Sequence, residues 1–312
     1  MERYDIVIIG GGAAGLSAAL VLSRARRRVL VVDAGAPRNA PATHMHGFLS
    51  RDGMPPGDLL AVGRQEVNSY GGTITAGAVK DLIRCGPTGF HVLLDDGERV
   101  SARRLLVATG LRDELPDIPG LAERWARDVL HCPYCHGWEV ADQKLAVLWN
   151  GPETIRYVQI VRQWSDDVVL FAPVDTLTEA QSSQLVARAI GVVEGVVSGV
   201  LIEDDHLTGV QMADGRVISR ATVFVPPRFI PNNDLLVRLE CDRDEHGWVV
   251  TGANGATSVP GVWVAGNVTN PRGQVITAAG EGSAAAVAIN ADLVDEDVAV
   301  AVRDDNQHGF LP

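Results

Sequence analysis

Cys132 and Cys135 stand two residues apart in the stretch HCPYCHGWE, residues 131–139, with His131 and His136 directly beside them. The other two cysteines, Cys85 and Cys241, are isolated. A structural zinc site usually needs four ligands, as two such pairs or as one pair with two spaced histidines. No second pair follows here, and His131 and His136 adjoin the cysteines too closely to complete a tetrahedron well. The run CPYCH matches the attachment sequence of c-type haem. That chemistry normally follows export, and the N-terminus MERYDIVIIGGGAAG shows no signal peptide. Redox use fits better. The two cysteines can close a small disulfide, and Pro133 suits the first turn of a helix. A cysteine at a helix N-terminus beside a histidine has a lowered thiol pKa and becomes a nucleophile. His136 can then move a proton on or off sulfur near neutral pH. An inert buried pair is the plainer alternative, but four polar or reactive residues in a row argue against it, although His131 alone can be structural. Cys85 and Cys241 read as small buried hydrophobes, and no metal site is expected.

Around this pair the chain reads as two strand–helix–strand units. In the first, YDIVII (4–9) is a strand, residues 13–26 follow a helical pattern, and VLVVD (29–33) is the next strand. Gly10, Gly12 and Gly15 form G-x-G-x-x-G between strand and helix, and Asp33 closes the second strand 18 residues after Gly15. That is the full dinucleotide-binding context. The glycines let backbone approach a pyrophosphate at a helix N-terminus, and Asp33 can accept from ribose hydroxyls. A glycine-rich turn in an unrelated α/β protein is the bland alternative. In the second unit, KLAVLWNG (144–151) leads to a helix over 153–164 and a strand at 167–171. Its fingerprint is broken. Trp149 stands at the first glycine position and Thr154 at the third, with only Gly151 kept, and Pro152 removes an N–H near where phosphate would sit. No Arg or Lys follows the next strand to hold a 2′-phosphate. This unit therefore reads as poorly built for NADPH, with a variant turn that still binds NADPH as the alternative.

Elsewhere, residues 34–57 read as a long loop, and 73–85, 88–94 and 98–107 as strand-like stretches. PDIPG (116–120) looks like a crossing between domains. The last helix is expected over 275–290, and the acidic tail 293–312 is expected to be loosely held. At 312 residues the chain is too long for one ordinary core, and two domains are the natural expectation. Hydrophobic residues make up 46% and charged residues 21%, a globular composition. The formal charge of −12 argues against nucleic acid or an anionic membrane as partner. No apolar run reaches the roughly 18 residues that span a bilayer, and a cytoplasmic location is expected.

With these residues together, the chain resembles the low-molecular-weight thioredoxin reductase family of FAD-dependent disulfide oxidoreductases, over almost its whole length. The resemblance rests on GGGAAG, LLVATG (105–110), the cysteine pair and TSVPGVWVAGNVTNPRGQVITAAGEGSAAA near the end. It implies an α/β protein of two Rossmann-like, doubly wound, three-layer domains, the second inserted into the first. Residues 1–115 and 246–312 would form the FAD domain, and 116–245 a degenerate NAD(P)H-type domain bearing the cysteines. FAD would be held by Gly10, Gly12, Ala14, Gly15 and Asp33, by Arg38, Asn39 and His46, by Ala108, Thr109 and Gly110, and by Gly266, Asn267, Gln274 and Val275. The family usually has Gly-Asp where this chain has Gly266-Asn267, and Asn267 can still hydrogen-bond a ribityl hydroxyl.

Two departures narrow the branch. The usual family follows its second cysteine with an acidic residue, where this chain has His136, and it carries an intact NADPH fingerprint. Both departures, and the loop PRNAPATHMHGFLSRDG, look like the dithiol oxidases that close a disulfide in small molecules such as gliotoxin, holomycin or romidepsin. This resemblance implies an FAD-dependent oxidase of a small-molecule dithiol, working as a homodimer, with oxygen reduced to hydrogen peroxide. Cys132 would be the sulfur attacked, Cys135 the one nearer the flavin, and His136 the acid–base group. An NADPH-dependent reductase of a thioredoxin-like protein is the main alternative, and a flavin-binding redox sensor the second.

Overall fold

The computed structural model describes residues 1–86 and 89–308. Its contacts divide the chain into two compact units. The first comprises Met1–Ala40, Pro55–Arg112 and the chain from Pro231 onward; the second comprises Pro41–Met54 and Asp113–Ile230.

In the first unit β1 (Glu2–Ile9) runs into α1 (Ala13–Arg24), and β2 (Val29–Asp33) returns parallel to β1, in register from Ile6↔Val29 to Ile9↔Val32. Ile6, Val7 and Ile8 are fully buried. Alternate strand residues point to opposite faces, so Ile6 and Ile8 share one core with α1, whereas Val7 and Ile9 belong to another. Then come α2 (Pro56–Ser69), β3 (Thr73–Ala76), β4 (Val79–Cys85), β5 (Gly89–Leu94) and β6 (Arg99–Val107). The sheet order is β3-β2-β1-β6-β5-β4. The stretch 73–85 is two strands rather than one, because Gly77 turns the chain with φ +148°. Cys85 ends the edge strand β4 and is half-buried rather than buried.

β7 (Leu111–Glu114) passes into the second unit, which continues with β8 (Val129–Leu130), α3 (Pro133–His136), β9 (Leu145–Leu148), α4 (Thr154–Val161), β10 (Val168–Ala172), α5 (Glu179–Ala187) and β11 (Gly191–Glu194). β12 (Val197–Glu203), β13 (His206–Met212) and β14 (Val217–Ser219) form an antiparallel sheet. β15 (Thr222–Phe224) completes a parallel sheet of order β11-β10-β9-β15-β8. β16 (Arg228–Pro231) pairs with β7 as a two-stranded ribbon.

The chain re-enters the first unit at Pro231, earlier than the boundary expected at 245/246. In and after α6 (Asp234–Arg238), the side chains of Leu236, Leu239, Cys241 and Val249 bury in the core that holds Val7, which decides where this segment belongs. β17 (Val262–Val264) pairs with Leu105–Val107 of β6. α7 (Val275–His308) is twice the expected length, and the tail expected to be loose is helical through His308; residues 309–312 lie outside the described ones. Leu293 is fully buried. Two of the acidic residues that made this tail look solvated are paired, Asp297 with Arg27 at 2.7 Å and Glu296 with Arg103 at 3.2 Å and Arg104 at 2.8 Å, and Asp292 just before it pairs with Arg104. Both units are α/β with parallel central strands, as the sequence predicts.

Candidate active site

The glycine turn of the first unit is shaped by close backbone approach. Gly10 has φ +109°, and a Cβ there would lie 2.4 Å from the Ala108 carbonyl oxygen. A Cβ on Gly15 would lie 1.9 Å from the Gly10 carbonyl oxygen, so α1 packs directly on the turn. Gly12 is the N-cap of α1 and has no side chain to cap it. The first N–H groups of a helix lack internal partners, and around Gly12 a Cβ would meet nothing within 4 Å. This open, positive end fits a pyrophosphate. Asp33 is held by Arg64 Nη2 at 2.8 Å and by the Gly35 N–H at 3.1 Å. Burial pushes its carboxyl up, but Arg64 and the Gly35 and Gly11 N–H groups outweigh that and keep it below the usual carboxylate range.

The other expected dinucleotide contacts of this unit are organised by residues that sequence patterns did not single out. Asn232 clamps the LLVATG turn. Its N–H donates to Gly110 O at 3.0 Å and its amide to Thr109 O at 3.0 Å, while Thr109 Oγ1 donates to its carbonyl at 2.6 Å. Glu281 of α7 accepts from Gly266 N–H at 2.8 Å and from Asn270 Nδ2 at 2.6 Å. Asn267 Nδ2 donates to Asn270 O at 2.7 Å and Gly273 O at 2.8 Å. An aspartate there could make neither bond. Asn267 Oδ1 faces Arg38 Nη1 at 3.4 Å and is what remains for a ligand hydroxyl. Gln274 and Val275 stand at the start of α7. Gly10, Gly12, Ala14, Gly15, Asp33, Arg38, Asn39, Ala108, Thr109, Gly110, Gly266, Asn267, Gln274 and Val275 all fall in the first unit, and the glycine turn and helix ends there fit a bound dinucleotide; His46 falls in the other.

In the second unit Cys132 and Cys135 are joined as a disulfide, with Cα atoms 5.2 Å apart. α3 is a single turn with Cys132 as N-cap, whose carbonyl accepts the N–H groups of Cys135 and His136 at 3.1 Å each. Gly137 ends it tightly, since a Cβ there would lie 2.4 Å from Pro133 O and 2.7 Å from the Trp164 ring. Trp164 also meets Tyr134 edge-on at 5.5 Å. His131 stacks on Trp125 at 5.4 Å, and its carbonyl accepts the Tyr157 hydroxyl at 2.6 Å, a structural setting. His136 is half-buried. Burial lowers its pKa, the Glu139 carboxylate works the other way, and His46 adds to the lowering. His46 Nε2 lies 3.3 Å from Glu139 Oε1 and its Nδ1 3.3 Å from Asp52 Oδ2. A disulfide beside an imidazole kept neutral suits thiol–disulfide exchange.

The broken fingerprint is equally well defined. Trp149 leaves β9 with its N–H bonded to Phe171 O at 2.9 Å. The Asn150 N–H, which a phosphate could have used, donates to Thr154 Oγ1 at 3.0 Å. Thr154 is buried at the position that Gly15 holds in the first unit, so a full side chain stands where α1 has none. Glu153 places a carboxylate at the N-cap of α4, where anions are disfavoured beside it.

These two units define a dinucleotide-linked disulfide oxidoreductase. A family model described as pyridine nucleotide-disulphide oxidoreductase matches residues 4–282, and the chain belongs to that family. It is 30% identical over 317 residues to thioredoxin reductase sirT of Leptosphaeria maculans, covering 95% of this chain and 96% of that protein. It is 36% identical over 151 residues to thioredoxin reductase tcpT of Claviceps purpurea, covering 47% of each. Among solved structures, HlmI superposes with a TM-score of 0.95 at 55% identity, covering 98% of this chain and 97% of that one. Among the described residues, no helix is long and apolar enough to cross a membrane.

Proposed function

We propose that the protein is an FAD-dependent dithiol oxidase that closes an intramolecular disulfide in a small-molecule dithiol, with oxygen as acceptor. The observation that carries this reading is a closed Cys132–Cys135 disulfide bordered by His136, in a unit whose nucleotide turn is obstructed. Gly10, Gly12, Gly15 and Asp33 would hold the adenosine diphosphate end of FAD, and Gly266, Asn267 and the start of α7 the flavin end. When bound, FAD supplies a two-electron acceptor that oxygen regenerates, leaving as hydrogen peroxide.

His136 takes the proton from one substrate thiol. The resulting thiolate attacks Cys132 Sγ, a mixed disulfide forms and Cys135 leaves as thiolate. The second substrate thiol, deprotonated in turn, attacks the first substrate sulfur, which closes the product disulfide and releases Cys132. The reduced pair would pass its two electrons from Cys135 to FAD, which closes the Cys132–Cys135 disulfide again, and oxygen takes up both electrons and both substrate protons as peroxide. Exposed Tyr134 and Trp138 offer apolar surface beside the pair for a small organic substrate. The resemblance further implies a homodimer.

The rival is an NADPH-dependent reductase of a thioredoxin-like protein, which the names of two relatives favour. Anaerobic spectra separate the readings. Bleaching of the flavin by a dithiol such as DTT but not by NADPH, with colour and peroxide returning in air, is expected. Rapid bleaching by NADPH would establish the reductase instead.

A further inference from the structure

Loop 41–54 contributes an ion-pair cluster to the redox turn. Asp52 Oδ1 accepts the Gly47 N–H at 2.8 Å, which closes the loop around the His46 ring and presents Asp52 Oδ2 to its Nδ1. The other ring nitrogen faces Glu139 at 3.3 Å. Glu139 lies three residues past His136, beyond the end of α3, and its side chain is 44% exposed. Without a partner such a carboxylate samples many rotamers, and a charge that wanders acts less on its neighbour than one held in place. The groups facing this cluster are His44 at 6.5 Å between ring centroids, Asp52, Glu139 and His136.

We propose that His46 is a positioning residue of the redox site: braced by Asp52, it fixes the Glu139 carboxylate beside His136, so that loop 41–54 belongs to the machinery that handles the substrate protons. The inference rests on the acid–base role proposed for His136. No bond is made or broken by His46.

The test follows the His136 imidazole by NMR through a pH titration of the oxidised holoenzyme, with its resonance assigned by its loss in His136→Asn. Wild type, Glu139→Gln, His46→Gln and the double variant are compared. Glu139→Gln is expected to move the His136 midpoint to lower pH, because the lost carboxylate favours the imidazolium. In the His46→Gln background the same change is expected to move it by no more than about half as far, the non-additivity of coupled neighbours. Equal displacement in both backgrounds overturns the inference. Asp52→Asn, at an exposed side chain, leaves the imidazole in place and is expected to shrink the Glu139→Gln displacement in the same way. It decides the matter if His46→Gln does not fold. Because the readout is a titration rather than turnover, it stays separate from the functional reading, which fails if either cysteine proves dispensable for oxidation.

Discussion

Gly280 and Gly282 lie in the same helix, and alanine at each is expected to change stability in opposite directions. In an exposed helix interior, glycine costs roughly 1 kcal/mol relative to alanine. Gly280 is exposed, and a Cβ there would meet nothing within 4 Å. Gly280→Ala should therefore gain about 1 kcal/mol. A Cβ on Gly282 would lie 2.0 Å from the Ala14 carbonyl oxygen and 2.8 Å from its carbon. Both are backbone atoms at the start of α1, so no rotamer change relieves the clash, and the helices must part by about 1.5 Å to reach ordinary contact. Overpacking costs about 1–3 kcal/mol, and backbone meeting backbone puts this case at the upper end. After the gain in propensity, Gly282→Ala should lose roughly 2 kcal/mol. At roughly 2 °C per kcal/mol for a chain of this size, Tm should rise about 2 °C for Gly280→Ala and fall about 4 °C for Gly282→Ala. Ala14 sits inside the glycine turn, so flavin affinity should fall with the second variant alone. Thermal unfolding of the holoenzyme, followed by tryptophan and flavin fluorescence, reads both effects. If Gly282→Ala proves as stable as wild type, close packing of α7 on Ala14 is not the reason for the glycine.

Cys132→Ser and Cys135→Ser should each lower dithiol-dependent oxygen consumption at least about a hundredfold while the protein stays yellow; residual turnover near wild type in Cys135→Ser would remove it from the scheme. For His136, burial lowers the pKa, and the base must be neutral to act, so the acidic limb of kcat/KM should lie below the ordinary imidazole midpoint of about 6.5. His136→Asn should abolish that limb and cost about a hundredfold or more in rate; a pH profile unchanged by the substitution would clear His136 of the role. Arg104 is 2% exposed whereas its partners Asp292 and Glu296 reach solvent. Urea midpoints should therefore show Asp292→Asn with Glu296→Gln, which leaves a buried cation unpaired, costing about 3 kcal/mol, and Arg104→Met, which leaves Asp292 at the surface and Glu296 still paired with Arg103, costing less.

The parts of the site legible in the residues are those with local causes. Gly15 is needed because its Cβ would meet the Gly10 carbonyl five residues earlier, and Cys132, Cys135 and His136 share one turn whose geometry follows from their spacing. The family follows from the same short runs. Other features depend on partners far away in the chain. The acidic tail reads as solvated until Arg104, 188 residues before Asp292, neutralises it and α7 continues. Asn232 grips a turn 123 residues earlier, and residues 231–245 join the first unit because Leu236 and Leu239 find its core, not because composition changes. His46 is expected, with Arg38 and Asn39, as a flavin ligand; what the sequence does not show is that its ring faces Asp52 and Glu139 in the second unit. The available chemistry is written along the chain, because a thiol pair and an imidazole act through atoms a few bonds apart. Which carboxylate faces which base, and how long the last helix runs, depend on folding, because a charge is set by whatever comes within a few ångströms of it.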